Sequence, residues 1–120
     1  MFEVYGVPGC GTLQDLTDWL DDAGVAYALV DHGVRRPRIA KVASWVVAVG
    51  VDGLCDAESE AFRALPADRS DWSEQRWIAA MVRRPKMLHP VIERDGAFVS
   101  AGFRDEDRSR LERLLDSQVA

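Results

Sequence analysis

The chain has 120 residues, of which 48% are hydrophobic, and this length and composition fit one folded domain rather than a disordered chain. Its formal net charge of −5 does not suggest a nucleic-acid surface, which needs a basic face, so direct binding to nucleic acid is not expected. Two cysteines do not make a disulfide framework, and no apolar run is long enough to span a membrane. Because Met1 leads directly into a strand-like segment, we expect no signal peptide. These features predict a cytoplasmic protein that does not associate with a membrane.

The first part of the chain predicts a strand, a helix and a second strand in close succession. The segment MFEVYGV has the apolar content of a short buried strand. The segment TLQDLTDWLDDAG then repeats leucines at helical spacing until Gly24 ends the helix, and VAYALVD forms the second strand. Because both connections are short, a right-handed crossover would place the two strands parallel to each other.

Residues 35–85 are expected to form a helical insertion. The sequence predicts an apolar helix over residues 38–49 and a short helix over residues 57–65. A third helix is predicted over SDWSEQRWIAAMVRR, with Asp71 or Ser73 as its N-cap.

The end of the chain predicts a β-hairpin and an amphipathic helix. In PVIERDGAFVSAGF, Asp95 and Gly96 supply the positive φ angles of a tight turn between two apolar runs. The segment RDEDRSRLERLLDS carries leucines at helical spacing. The complete order predicts an α/β, thioredoxin-like domain over residues 1–120. Its mixed four-stranded sheet would carry the helical insertion between the second strand and the C-terminal hairpin.

Cys10 lies where the first strand gives way to the first helix. The free N–H groups and the dipole of a helix N-terminus stabilise an anion, which favours a nucleophilic thiolate. Gly9 and Gly11 would let a ligand approach the backbone closely, and Thr12 would cap the helix or donate a hydrogen bond to the sulfur. The alternative is that Cys10 is only a small residue in a tight turn, because the aspartates that follow in the helix favour the protonated thiol.

Three stretches of the sequence resemble the arsenate reductase (ArsC) family, which also contains the Spx-type transcription regulators. They are VYGVPGCGTLQDLTDWLDDAGVAYALVD, LCDAESEAFRAL and PKMLHPVIERDGAFVSAGF. The first is similar to the family's opening strand and Cys-Gly-Thr loop, the second to its Asn-x-Arg-Gly segment, and the third to its Pro-x-Leu-Ile stretch. The resemblance implies the thioredoxin-like fold and a nucleophilic role for Cys10.

The same resemblance implies a shaped site around His89 and Pro90. Thioredoxin folds usually place a cis-proline beside the active cysteine, so we expect a cis His89–Pro90 bond with the proline ring near the Cys10 sulfur. His89 would then donate a hydrogen bond to the thiolate or supply a proton. The alternative is an exposed loop histidine.

The sequence departs from the family at positions where arginines are usual. Gln14, Glu58 and His89 occupy these places, although a doubly charged oxyanion is best held by bidentate guanidinium contacts. Arsenate is therefore a poor fit as the substrate. One cation of the segment 83–86 would have to face the site to replace a lost arginine.

The resemblance implies a glutathione-linked thiol oxidoreductase with no bound cofactor or metal. Leu13 occupies the second position of a Cys-x-x-Cys pair, so glutathione or Cys55 would have to resolve a mixed disulfide at Cys10. Cys55 itself is more simply interpreted as a buried small hydrophobe. The predicted partners are a small thiol or oxidised-thiol substrate and glutaredoxin or another protein. The residues predicted to bind the thiol substrate are Gly9, Gly11, Thr12, Gln14, His89 and Pro90.

A second hypothesis is a binding module without catalytic turnover. The Spx regulators use this fold as a surface that contacts RNA polymerase, and many carry a Cys-x-x-Cys redox switch. The absence of the second cysteine here counts against redox regulation but not against binding. An oxidoreductase requires an accessible, reactive Cys10, whereas a binding module does not.

Overall fold

The computed structural model describes residues 1–119, which form a four-stranded sheet with helices on both of its faces. The strands are β1 (Phe2–Gly6), β2 (Tyr27–Asp31), β3 (Val91–Arg94) and β4 (Phe98–Ala101). The helices are α1 (Gly11–Asp22), α2 (Ile39–Leu54), α3 (Glu60–Arg63), α4 (Glu74–Arg83) and α5 (Asp105–Val119), with 3₁₀ turns at Ala67–Asp71 and Pro85–Met87.

The sheet has the spatial order β2-β1-β3-β4. β1 and β2 are parallel, whereas β3 pairs antiparallel with both β1 and β4. The predicted mixed sheet, its parallel crossover and its C-terminal hairpin are therefore confirmed. Because β3 runs against β1, the carboxyl end of β1 lies beside the amino end of β3, where Tyr5 pairs with Val91. This arrangement places the loop after β1 next to the segment before β3.

Each face of the sheet packs on different helices, because alternate side chains along a strand point to opposite faces. Val4 and Ile92, both fully buried, belong to a core cluster with Leu16 of α1 and Leu111 of α5. The opposite face belongs to a second cluster that includes residues of α2 and α4. The fold is a three-layer arrangement of helices, sheet and helices.

The helical insertion differs from the prediction at the boundaries of its helices. The helix predicted over residues 38–49 continues to Leu54, but it is interrupted at Gly50, where φ is 77° and ψ is 163°. α3 is shorter than the predicted helix over residues 57–65. Ser73 caps α4 by accepting a hydrogen bond at 3.2 Å from the backbone N–H of Arg76, whereas Asp71 belongs to the preceding 3₁₀ turn.

The hairpin turn forms at the predicted residues. Asp95 and Gly96 have φ angles of 51° and 71°, and the Ala97 N–H donates to the Arg94 carbonyl at 3.0 Å. Arg94 pairs across the hairpin with Phe98, so the turn contains three residues, Asp95, Gly96 and Ala97. The Asp-Gly signal therefore predicted the turn but not its third residue.

A buried carboxylate joins the sheet to α2. Glu93 is 3% exposed and accepts hydrogen bonds from Lys41 Nζ at 2.7 Å, Trp45 Nε1 at 3.0 Å and the Tyr5 hydroxyl at 3.1 Å. These three donors compensate the cost of burying the charge. No helix within residues 1–119 has the length and apolar content needed to cross a membrane.

Candidate active site

Cys10 occupies the N-cap position of α1, at the carboxyl end of β1. Its backbone is extended, with φ −78° and ψ 121°, and its carbonyl accepts the Gln14 N–H at 3.1 Å. No side chain caps the helix, and the Cys10 side chain is half-buried. The first amides of α1 have no acceptor within the helix. The thiol therefore lies at a helix end that favours an anion.

An open depression of about 240 Å³ brings Cys10 together with the segment before β3. Cys10 and Gly9 line it from the loop after β1, and Lys86 and Pro90 line it from the other segment. Asp56 also lines it, and its carboxylate accepts the Glu58 N–H at 3.0 Å. The depression thus contains a thiol, an ammonium group and a carboxylate. Asp56 was not among the predicted residues, since the sequence gives it no signal other than its place after Cys55.

Gly9 has a structural reason to be glycine, whereas Gly11 has none. Gly9 has a φ of +91°, which is strained for a residue with a side chain. Gly11 begins α1, and a Cβ there would meet no atom within 4 Å.

Thr12 and Gln14 do not line the Cys10 depression. Because Cys10 itself is the N-cap, Thr12 lies past the position from which a side chain caps the first amides, and the predicted capping role is wrong. The Gln14 amide donates to Asp18 Oδ1 at 2.8 Å along the exposed side of α1. The hydrogen bond to Asp18 therefore holds the Gln14 amide along the helix and outside the Cys10 depression.

The predicted cis bond before Pro90 is wrong, because no peptide bond within residues 1–119 is cis. The trans isomer is the lower-energy default, and backbone hydrogen bonds on both sides hold this segment in place. The His89 N–H donates to the Leu54 carbonyl at 2.9 Å, and the Gly102 N–H donates to the Pro90 carbonyl at 2.8 Å. Pro90 nevertheless lines the depression with Cys10.

His89 lies outside the Cys10 depression. Its half-buried ring lies beside the backbone of Gly102, where an added Cβ would be 3.7 Å from His89 Cγ. The structure therefore does not bring the imidazole to the thiol as the sequence predicted.

Only one cation of the basic segment 83–86 lies at the Cys10 depression. Lys86 lines the Cys10 depression, whereas Arg83 and Arg84 line a separate groove with Trp72. Glu58 is exposed. A single ammonium group, that of Lys86, therefore lines the depression where the family resemblance implied arginines.

Cys55 is buried, as predicted. Its side chain is 6% exposed and belongs to the core cluster beneath α2. Burial raises the pKa of the Cys55 thiol to about 12, and the charge of Asp52 adds to the shift. A protonated, inaccessible thiol cannot resolve a mixed disulfide at Cys10 in this conformation.

The sequence matches the model of the ArsC family over residues 5–111. The chain belongs to the ArsC family. Its thioredoxin-like fold is that of a family of thiol oxidoreductase-like proteins. A search of curated proteins found no match to this ArsC-family chain.

Solved structures of the family share the fold of this ArsC-family protein. A YffB protein is 26% identical with a TM-score of 0.82, and the match covers 92% of this chain and 97% of that one. An arsenate reductase related protein from Brucella melitensis is 27% identical with a TM-score of 0.72, covering 91% and 92% of the two chains. An arsenate reductase from Vibrio cholerae is 17% identical with a TM-score of 0.73, covering 93% and 95%, and this likeness shows the fold alone.

The described part of this ArsC-family protein has no cluster of metal ligands. No three His, Cys, Asp or Glu side chains among residues 1–119 lie close enough together to hold a metal ion. The residues that line the Cys10 depression bring a thiol, an ammonium group, a carboxylate and the backbone of the loop to the site.

Proposed function

We propose that this protein is a glutathione-linked thiol oxidoreductase that uses Cys10 as its single nucleophile. The observation that carries the proposal is the half-buried Cys10 thiol at the start of α1, lining an open depression with Lys86 and Pro90. Cys55 is buried, and Leu13 is buried where a Cys-x-x-Cys protein has its second thiol. An external thiol must therefore complete the cycle.

The reaction consists of two exchange steps. The Cys10 thiolate attacks the glutathione sulfur of a mixed disulfide R–S–SG, forms the bond Cys10–S–SG and releases RS⁻, which takes a proton from solvent. The thiolate of a second glutathione then attacks the glutathione sulfur held on Cys10, releases the Cys10 thiolate and forms oxidised glutathione. The substrate sulfur is reduced, and two glutathione moieties leave as the disulfide.

The residues around Cys10 support the two steps in different ways. The unpaired amides at the start of α1 stabilise the negative charge on the attacking and the departing sulfur. Lys86 adds a positive charge to the same depression, and Pro90 forms part of its wall. Gly9 gives the loop the φ angle that presents Cys10 at the end of β1.

Turnover with a glutathionylated peptide tests the proposal. We expect wild type and Cys55→Ser to form oxidised glutathione from the glutathionylated peptide and added glutathione. Cys10→Ser should show only the uncatalysed rate. Cys55→Ser is the matched control, because it removes the other thiol. Turnover that survives in Cys10→Ser contradicts the proposal, and no turnover by wild type favours the binding module.

A further inference from the structure

A second depression of about 490 Å³, which we call the basic groove, lies between the sheet and the start of α2. It is lined by Arg35, Arg36, Arg38, Lys41, His32 and Glu3, among others. Residues 35–41 contain four cations and no acid in a chain whose net charge is −5. The groove is therefore a local positive region on an acidic protein.

Most of the positive charge in the basic groove has no acidic partner. Within the described chain, Lys41 pairs with Glu93 at 2.7 Å, whereas Arg35, Arg36 and Arg38 form no ion pair. α2 also begins at the groove without a capping side chain and without an acid in its first turn. The first amides of this helix add further uncompensated positive potential. Glu3 is the acidic side chain that opposes it from the sheet.

His32 is the second observation that points to a ligand at the groove. The side chain is buried, at 5% exposed, and neither ring nitrogen has a hydrogen-bond partner within residues 1–119. Burial lowers the pKa of His32, which favours the neutral ring, and a neutral imidazole needs one hydrogen-bond donor and one acceptor as partners. A peptide group supplies one N–H and one C=O, whereas phosphate supplies mainly acceptors. The unpartnered ring therefore favours a peptide ligand.

A third depression, of about 350 Å³, connects the basic groove with the Cys10 depression. It shares His32 and Arg36 with the basic groove, and Val7 and Lys86 with the Cys10 depression. The three depressions therefore adjoin one another from Cys10 to the start of α2. An extended chain fits a continuous path of this kind better than a single small anion does.

We propose that this path binds a peptide segment in which acidic residues flank the oxidised cysteine, with the acidic side chains paired to Arg35, Arg36 and Arg38. The inference rests on the proposed function for the chemistry at Cys10, and it adds the class of substrate. Charge complementarity selects the segment, and its extended backbone follows the path past His32. The substrate sulfur then lies at Cys10 for the exchange described above.

Two glutathionylated peptides of equal length test the proposal, one with Asp and Glu beside its cysteine and the other with Asn and Gln at the same places. At low salt we expect wild type to react about tenfold faster with the acidic peptide, a difference of roughly 1.4 kcal/mol. The triple variant Arg35→Gln, Arg36→Gln, Arg38→Gln should lose this preference. Added salt should reduce it in wild type, since exposed charges are screened.

A charge-matched variant controls for the loss of three arginines. Arg63, Arg83 and Arg113 are exposed, form no ion pair within the described chain and lie outside the three depressions. Their triple glutamine variant should keep the full preference for the acidic peptide. The same loss in both triple variants would overturn the proposal, because net charge alone would explain it.

Binding measured without thiol chemistry separates this inference from the proposed function. In Cys10→Ser, fluorescence anisotropy with serine in place of the peptide cysteine should still show tighter binding of the acidic peptide. That result supports the acidic-peptide site even if no exchange occurs at Cys10. Equal binding of the acidic and amide peptides overturns the inference. A further outcome also overturns the inference. If the triple variant of Arg35, Arg36 and Arg38 reacts more slowly with oxidised glutathione, and equally so with both peptides, the groove recognises glutathione itself.

Discussion

At the scale of single residues, the two cysteines differ in their surroundings. Cys10 is half-buried at the open end of a helix, whereas Cys55 is buried under α2 with its pKa raised to about 12 by burial. We therefore expect iodoacetamide at neutral pH to modify the native protein once, at Cys10, as identified by peptide mass spectrometry. Cys10→Ser should remain unmodified until it is unfolded. Faster modification of Cys55 than of Cys10 would contradict this assignment.

Gly9 and Gly11 form a matched pair for testing the geometry of the loop. Gly9→Ala forces a side chain into a positive φ and should lower the free energy of unfolding by about 1–2 kcal/mol, with slower reaction at Cys10. Gly11→Ala enters open space in the first turn of α1 and should be neutral or slightly stabilising. Urea denaturation and the alkylation rate measure the two effects. Equal losses in both variants would show that the φ of Gly9 is not the cause.

At the scale of elements, the Glu93 carboxylate ties the sheet to α2. Burial acts to raise the pKa of Glu93, but hydrogen bonds from Lys41, Trp45 and Tyr5 outweigh it, so the pKa lies below its ordinary value of 4.5. As the pH falls, Glu93 therefore takes up a proton at a higher pH in the unfolded chain than in the folded protein. Stability that Glu93 provides above pH 4.5 is lost as the pH drops towards the pKa of the folded state.

Glu93→Gln tests this link between elements. It should lower the free energy of unfolding at pH 7 by about 1–3 kcal/mol, because a weaker acceptor meets the same three donors. It should also flatten the fall in stability between pH 5 and pH 3, roughly the range in which a carboxylate titrates. Urea midpoints across this range measure both effects. Glu58→Gln changes an exposed glutamate and serves as the control, which should keep the wild-type dependence of stability on pH. If stability falls with pH in Glu93→Gln as steeply as in wild type, Glu93 does not have the role described.

The elements themselves were largely predictable because their causes are local. Apolar spacing and the Asp95-Gly96 turn signal depend on neighbouring residues, and they predicted all four strands and the parallel crossover. The expectation of a cis bond before Pro90 came from the family resemblance and was wrong, whereas the backbone partners that locate this segment, Leu54 and Gly102, are remote in sequence. The basic groove was missed for the same reason, since only the fold shows that residues 35–38 have no acidic partners and adjoin the buried His32.

At the scale of the whole molecule, the distribution of cations limits the reactions that the site supports. Lys86 is the basic side chain that lines the Cys10 depression among residues 1–119, and the arginines closest in sequence lie elsewhere. A doubly charged oxyanion therefore lacks the bidentate contacts that stabilise it. The proposed substrate is a disulfide sulfur, which carries no charge before attack and does not need those contacts.

Arsenate turnover is expected to be very slow for this reason. Each missing charge-assisted contact costs about 1.5–3 kcal/mol, so losing three lowers the rate on the order of 10³-fold or more. The comparison is with an ArsC-family arsenate reductase that has all three arginines, assayed with glutathione and glutaredoxin. Comparable rates for the two proteins would show that Lys86 or another cation replaces the arginines.

Trapping the covalent intermediate tests the central claim most directly. Wild type, Cys10→Ser and Cys55→Ser are incubated with a glutathionylated peptide, quenched with acid and analysed intact and after digestion by mass spectrometry. The account predicts one glutathione on Cys10 in wild type and in Cys55→Ser, none on Cys10→Ser, and loss of the adduct when free glutathione is added. Glutathione on Cys55, or an unmodified Cys10 that still reacts with iodoacetamide, would contradict the account.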